Sequence, residues 1–287
     1  MITLLGSFCH IAIVTIAIGH LLVLLFKRVG WMPNDTKLNF DVISVLGFSG
    51  LSVFLNITSF FTAISPVFQG VFSLVFGGVF FYFFSKNTFQ IPPISLLLKA
   101  CIILFLGVFL LESAKLAVIG DTGLYHIASI KWSEEYPIVK GLANLHARLA
   151  SNSNIFPMAA FFGERHVWGQ VITGINPYLF LLMGYRILVE VQAWNVEKNW
   201  GLSLFYSFYL GLCFFQLKAF IASNSPDLSV AVFNFYLIFI FLMPKKRLNS
   251  FSKIPLIAVL AFALPTYKLS CILSVFVALF WAISEGI

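Results

Sequence analysis

Nine apolar runs, most of them close to the length of a membrane-spanning helix, partition this chain and leave little room for a water-soluble fold. They cover about residues 2–26, 42–64, 67–84, 94–111, 177–191, 202–222, 228–243, 254–264 and 269–283. A helix needs about 20 mostly apolar residues to cross a bilayer. Only 10% of the residues are charged and 60% are hydrophobic, with 34 Phe. Soluble domains carry about 25% charged residues, so one aqueous core could not bury this apolar excess. The expected fold is all-α. It is a polytopic helical membrane protein of about nine transmembrane helices, forming a single transmembrane domain over residues 1–287, with a long extracytoplasmic loop of amphipathic helices at about 112–176.

The loops carry the punctuation such a fold requires. Gly30, Pro33, Asn34 and Asp35 break the chain after the first run; Ser65-Pro66 makes a tight turn; Pro92-Pro93 closes a third loop; Pro265 stops the short eighth run. The first run lacks a basic leader and a small-residue cleavage site, so it reads as a retained helix. The chain closes on SEGI soon after the ninth run, which suggests the N-terminal part of a longer protein. Cys9, Cys101, Cys213 and Cys271 all fall in apolar runs without zinc or disulfide spacing, and read as buried structural thiols.

The formal charge of +7 does not point to nucleic acid, because the cations are scattered between apolar runs. They orient the helices instead. Lys27, Arg28, Lys37, Lys86, Lys198, the Lys245-Lys246-Arg247 cluster and Lys253 recur after every second crossing, and the positive-inside rule makes that side cytoplasmic. The long polar loop, the SNSPD turn and the PTYKLS turn then share the extracytoplasmic side.

Chemistry is expected in the polar loop. Asp121 follows Gly120 where the chain leaves an apolar run. It is either an N-cap or a general base whose proton affinity a low-dielectric boundary raises. His126 is expected near it. Residues 123–136 read as a helix in the interface plane, with Leu124, Ile127, Ile130 and Trp132 as its apolar stripe and Tyr125, Trp132 and Tyr136 at headgroup depth. Asn144, His146 and Arg148 follow at i, i+2, i+4, so Asn144 and Arg148 share a helical face, and Arg148 suits a phosphate. His126 and His146 could join Asp121 as metal ligands, but no zinc motif is present.

Asp227 is either a helix cap or a second acid; Lys268 either snorkels or neutralises a lipid phosphate. Arg186 and Lys218 lie within apolar runs, where ionisable groups are functional candidates, and Glu190 is placed to pair with Arg186 at i,i+4. Glu134, Glu135, Glu164, Arg165 and His166 read as solvated surface. The Asn56 sequon lies inside a run and is disregarded.

The pattern D-x-G-L-Y-H (Asp121, Gly123, Leu124, Tyr125, His126) and W-x-x-E-Y-P-x-V-x-G-L-x-N-L-H-x-R (Trp132, Glu135, Tyr136, Pro137, Val139, Gly141, Leu142, Asn144, Leu145, His146, Arg148) resembles a group of largely uncharacterised bacterial multi-spanning proteins. The S-x-S-P-D turn and T-x-K-L-S segment resemble the same group. The wider architecture is similar to the GT-C-type membrane glycosyltransferases. That resemblance implies transfer or polymerisation of sugars from a polyprenyl-phosphate-linked donor at the outer face of a bacterial inner membrane, for a cell-envelope glycan. Asp121 would be the catalytic base and His126 its orienting partner. Tyr125, Trp132, Asn144, His146, Arg148, Asp227 and Lys268 would bind substrate. Its partners would be membrane lipids and the lipid-linked sugar, with no cofactor beyond a possible divalent cation. Two departures stand out: four runs precede the loop rather than one, and Thr122 replaces a second acid beside Asp121. The competing readings are a lipid-linked saccharide transporter or flippase, with Arg186, Glu190 and Lys218 along its path, and a non-enzymatic membrane subunit.

Overall fold

The computed structural model describes residues 2–86, 91–150, 153–163, 165, 174–244 and 248–284. A helix occupies each of the nine apolar runs. In order they are α1 (Ile2–Arg28), α2 (Phe40–Ser59), α3 (Pro66–Ser85) and α4 (Leu96–Ser113), then, after the polar loop, α8 (Ile175–Val196), α9 (Trp200–Leu217), α10 (Pro226–Leu242), α11 (Ser250–Tyr267) and α12 (Leu273–Ser284). The loop contributes a π-helical turn (Thr122–His126), α5 (Ile127–Glu135), one-turn α6 (Leu142–Leu145), a 3₁₀ turn (Ala147–Ala150) and α7 (Ile155–Phe162). No strand occurs among the described residues.

Among the described residues six helices are long and apolar enough to cross a membrane: Ile2–Arg28, Phe40–Ser59, Pro66–Ser85, Leu96–Ser113, Trp200–Phe220 and Ser250–Tyr267. The chain thus has the make-up of an all-helical, multi-pass membrane protein. α10 and α12 are shorter, and α8 carries charge in its interior.

α1 and α2 pack most closely, because small residues let their backbones meet. A Cβ on Gly19 would land on the Ile43 carbonyl, and one on Gly47 on the Thr15 carbonyl. At the same crossing Thr15 and Ser44 share a hydroxyl bond of 2.8 Å, and Ser44 bonds the Tyr178 hydroxyl of α8 at 2.7 Å. The chain of hydroxyls satisfies polar groups that have no access to water.

Charge is also buried in this bundle. Arg186 donates through Nε to Asp41 Oδ2 at 2.8 Å and through Nη2 to Asp41 Oδ1; both side chains are sealed from solvent. The Tyr236 hydroxyl donates to the same carboxylate at 2.9 Å, and Glu190 stands 3.6 Å from Arg186 Nη1. The sequence pointed to Glu190 as the partner of Arg186. The fork goes instead to Asp41, at the start of α2, with Glu190 as a more distant second acid.

Two other expectations are corrected. Pro265 does not stop its helix; α11 runs to Tyr267. Pro265 has no N–H for the Ala261 carbonyl, and Ser274 Oγ donates to that carbonyl instead at 3.1 Å. The cysteines form no disulfide, but none is fully buried: Cys9 is exposed and the other three are partly so, with Cys213 and Cys271 packed against the edge of the core. Lys245, Lys246 and Arg247 lie outside the described residues.

Candidate functional site

The polar loop folds back onto the end of the bundle where α2 finishes. Ile138 N–H donates to the Ser59 carbonyl at 2.7 Å, and Ile64 N–H to the Ser133 carbonyl at 2.9 Å. Farther on, Ser153 Oγ donates to the Tyr267 carbonyl at 2.8 Å and Asn154 Nδ2 to Thr266 Oγ1 at 2.7 Å. Asn56 Nδ2 donates to Asn154 Oδ1, which gives this sequon asparagine a structural partner. The SNSPD turn is fixed independently. Asn176 Nδ2 donates to the carbonyls of Ser223 (2.6 Å) and Ser225 (2.9 Å), and its Oδ1 accepts from Ser229 Oγ at 2.9 Å. Thr122 Oγ1 and Ser223 Oγ, 2.8 Å apart, join loop to turn. Buried and partly buried polar groups therefore bring three distant segments together by bonding one another.

The result is two ion pairs side by side. Arg148 Nη1 pairs with Asp121 Oδ1. Lys268 Nζ pairs with Asp227 Oδ1 at 2.5 Å. All four side chains are 40–51% exposed. Tyr125 connects the pairs: the Arg148 guanidinium lies 5.6 Å from its ring centre. Burial first, and then the Asp121 carboxylate, raise the Tyr125 phenol above its ordinary range, with Arg148 and Lys268 acting against them. The hydrogen bond that Lys268 donates to Asp227 holds its ammonium above its usual value.

Neither acid is a helix cap. Asp121 already has helical backbone angles and accepts no capping bond. α10 is capped by Ser225, whose hydroxyl accepts from Asp227 N–H at 3.3 Å and donates to Asp227 Oδ2 at 3.0 Å.

His126 sits beneath the pairs at 1% exposure, and neither ring nitrogen has a hydrogen-bond partner among the described residues. It makes no hydrogen bond to Asp121, so it does not orient that carboxylate. Its ring lies against Phe156, with centres 5.5 Å apart. Burial lowers its proton affinity; Asp121 and Asp227 push the other way but do not prevail. It is held in a π-helical turn, a backbone form that concentrates at functional sites.

Beyond Phe156 a cavity of about 250 Å³ opens between α5, the Pro137–Leu142 segment and the start of α7. Trp132 and Tyr136, with ring centres 5.1 Å apart, form one wall; Ser129 and Ser133 face it. Tyr125 does not line it.

Asn144 and Arg148 do not share a helical face. α6 is a single turn, and His146 is extended (φ −157°) before the 3₁₀ turn begins. His146 Nδ1 accepts from Arg148 N–H at 3.3 Å, while Asn144 is exposed. Glu134 is not solvated: it is 3% exposed and pairs with Arg165 at 2.7 Å. Glu164 and His166 lie outside the described residues. Lys218 is exposed at the end of α9, 5.4 Å from the Phe215 ring centre. Among the described residues no three His, Cys, Asp or Glu side chains group as a metal site would require.

A family model described as a domain of unknown function, DUF8201, matches residues 1–285. No curated protein matches the chain, and no solved structure does.

Proposed function

The chain belongs to the DUF8201 family, and we propose from its site geometry that it is a membrane glycosyltransferase acting on a polyprenyl-phosphate-linked sugar at the extracytoplasmic face. In this reading the helices of all nine apolar runs span a bacterial inner membrane, and the product feeds a cell-envelope glycan. One observation carries the proposal. Two acids and two cations from three separate segments meet around Tyr125 at one end of the bundle. That end is where an amphiphilic substrate would present a phosphate beside an apolar tail.

The pairs suit exchange. Half-exposed ion pairs contribute about 0–1 kcal/mol each, so a donor phosphate can draw Arg148 and Lys268 away from their acids. Asp121 is then free to take the proton from an acceptor hydroxyl. The hydroxyl oxygen bonds to the anomeric carbon, and the carbon–oxygen bond to phosphate breaks. Its electron pair leaves with the polyprenyl phosphate, whose charge meets the two cations. The cavity bounded by Trp132 and Tyr136 would take the acceptor sugar.

Asp121→Asn tests the base. With insertion and protein amount matched to wild type, surface-glycan transfer is expected to fall about 10²-fold or more. Undiminished transfer would remove Asp121 from the mechanism. The interior charges favour this reading over a transporter, because Arg186 is closed onto Asp41 and Tyr236 rather than aligned along a path.

A further inference from the structure

At the opposite end of the bundle, where α2 begins, a second cavity of about 260 Å³ gathers cations from three separate elements. Lys27 comes from the end of α1, Lys37 from the loop before α2, and Lys86 from the residue that closes α3. His20, Asn34, Asp35 and Thr36 complete the polar lining. Three lysines against one aspartate leave an excess of two positive charges. Lys27 Nζ is held by the Asn34 carbonyl at 2.9 Å. Lys37 and Lys86 are exposed and in no ion pair among the described residues.

The cavity continues into an open groove along the outside of α1. Leu24, Lys27 and Asn34 line both, and Leu21 and Leu25 extend the apolar wall below a rim that includes Arg28. Orientation of helices by the positive-inside rule requires cations on this side, but not their convergence on one cavity. A basic pocket above an apolar channel is complementary to a phosphate that carries a hydrocarbon chain. A free phosphate would use the cavity and leave the groove empty.

We propose that this end of the protein holds one anionic phospholipid, its headgroup phosphate among Lys27, Lys37 and Lys86 and an acyl chain along Leu21, Leu24 and Leu25. The site is independent of the ion pairs around Tyr125 and of any activity there.

The full-length protein, in mixed micelles or nanodiscs with phosphatidylglycerol or phosphatidylcholine, provides the test. Native mass spectrometry is expected to retain phosphatidylglycerol at least about fivefold more than phosphatidylcholine, the factor one interfacial cation supplies. The triple variant Lys27→Gln, Lys37→Gln, Lys86→Gln should lose that preference. Because it could also disturb insertion, Thr36→Phe serves as the second variant. It fills the cavity, keeps every cation and should lose the preference as well. Lys115→Gln with Lys131→Gln and Lys140→Gln removes equal charge elsewhere and should keep it. Equal retention of the two lipids by wild type would overturn the proposal, as would an unchanged preference in both cavity variants. Inorganic phosphate at matched concentration abolishing the preference would assign the cavity to a free anion and overturn the lipid.

Discussion

Thr122 and Ser223 share a hydrogen bond of 2.8 Å across 101 positions of chain. Asp121 is next to the first and Asp227 four residues beyond the second. One hydroxyl pair therefore sets the spacing of both acids. Thr122 is the residue that stands where a second loop acid would be expected, and its work is to dock the loop. Thr122→Val leaves a buried hydroxyl at Ser223 short of one partner, which costs about 1–3 kcal/mol. A lower melting temperature in detergent, restored by Thr122→Ser, is the expected result. Equal stability of the valine and serine variants would deny the bond its role.

His126 supplies a pH dependence. Its folded-state proton affinity lies below that of an exposed histidine, because burial disfavours the cation. In the window between that lowered value and about 6.5, the unfolded chain binds more protons than the folded one. Stability is therefore full above about pH 6.5 and falls as pH drops below it. The melting temperature of wild type should decline from pH 7 to pH 5 more steeply than that of His126→Gln. Lys268 acts at the other extreme. Its raised value means that its contribution holds at neutral pH and is lost in strong alkali.

Inside the bundle, Asp41 and Arg186 are each other's main partners, with exposures of 0% and 2%. Removing one member of such a buried pair costs about 3–5 kcal/mol, since the other charge is stranded. Asp41→Ala and Arg186→Met should each sharply reduce the amount of folded protein. Their combination should be milder than the sum, because the Asp41 carboxylate and the Arg186 guanidinium leave together and neither strands the other. Glu190→Gln should cost far less, given its 3.6 Å separation and the second acid already in place. Quantified folded stability of wild type, the two single variants and their combination, read as a double-mutant cycle, measures the coupling.

The sequence exposed the order and spacing of the helices, because lipid imposes length and apolarity on each run. It also indicated that Asp121, Arg148, Asp227 and Lys268 belong on one side, since an even number of crossings separates their segments. What it hid were contacts set by distance in space. Glu190 is the visible neighbour of Arg186 at i,i+4, whereas Asp41 lies 145 positions away. Pro265 has the local signature of a stop, and only the approach of Ser274 cancels it. The polar spacing from Asn144 to Arg148 suggested a helix. Yet a run this short after Gly141, whose φ is +87°, does not repay nucleation. Glu134 reads as surface by type, and Arg165 is what allows its burial.

The α1–α2 crossing yields the sharpest structural forecast. Gly47 faces the Thr15 carbonyl so closely that a methyl group has no space, and backbone cannot move aside as a flexible side chain can. Gly47→Ala must separate the helices, and separation also stretches the Thr15–Ser44–Tyr178 hydroxyl chain at the same level. Overpacking typically costs about 1–3 kcal/mol, and a lost buried hydrogen bond adds about 1 kcal/mol. Gly211 in α9 is the matched control: a methyl group there meets nothing within 4 Å, and helix propensity alone favours Ala by about 1 kcal/mol. In detergent unfolding experiments Gly47→Ala should be destabilised by several degrees while Gly211→Ala matches or exceeds wild type. Similar melting of the two variants would mean that α1 and α2 do not meet through these glycines.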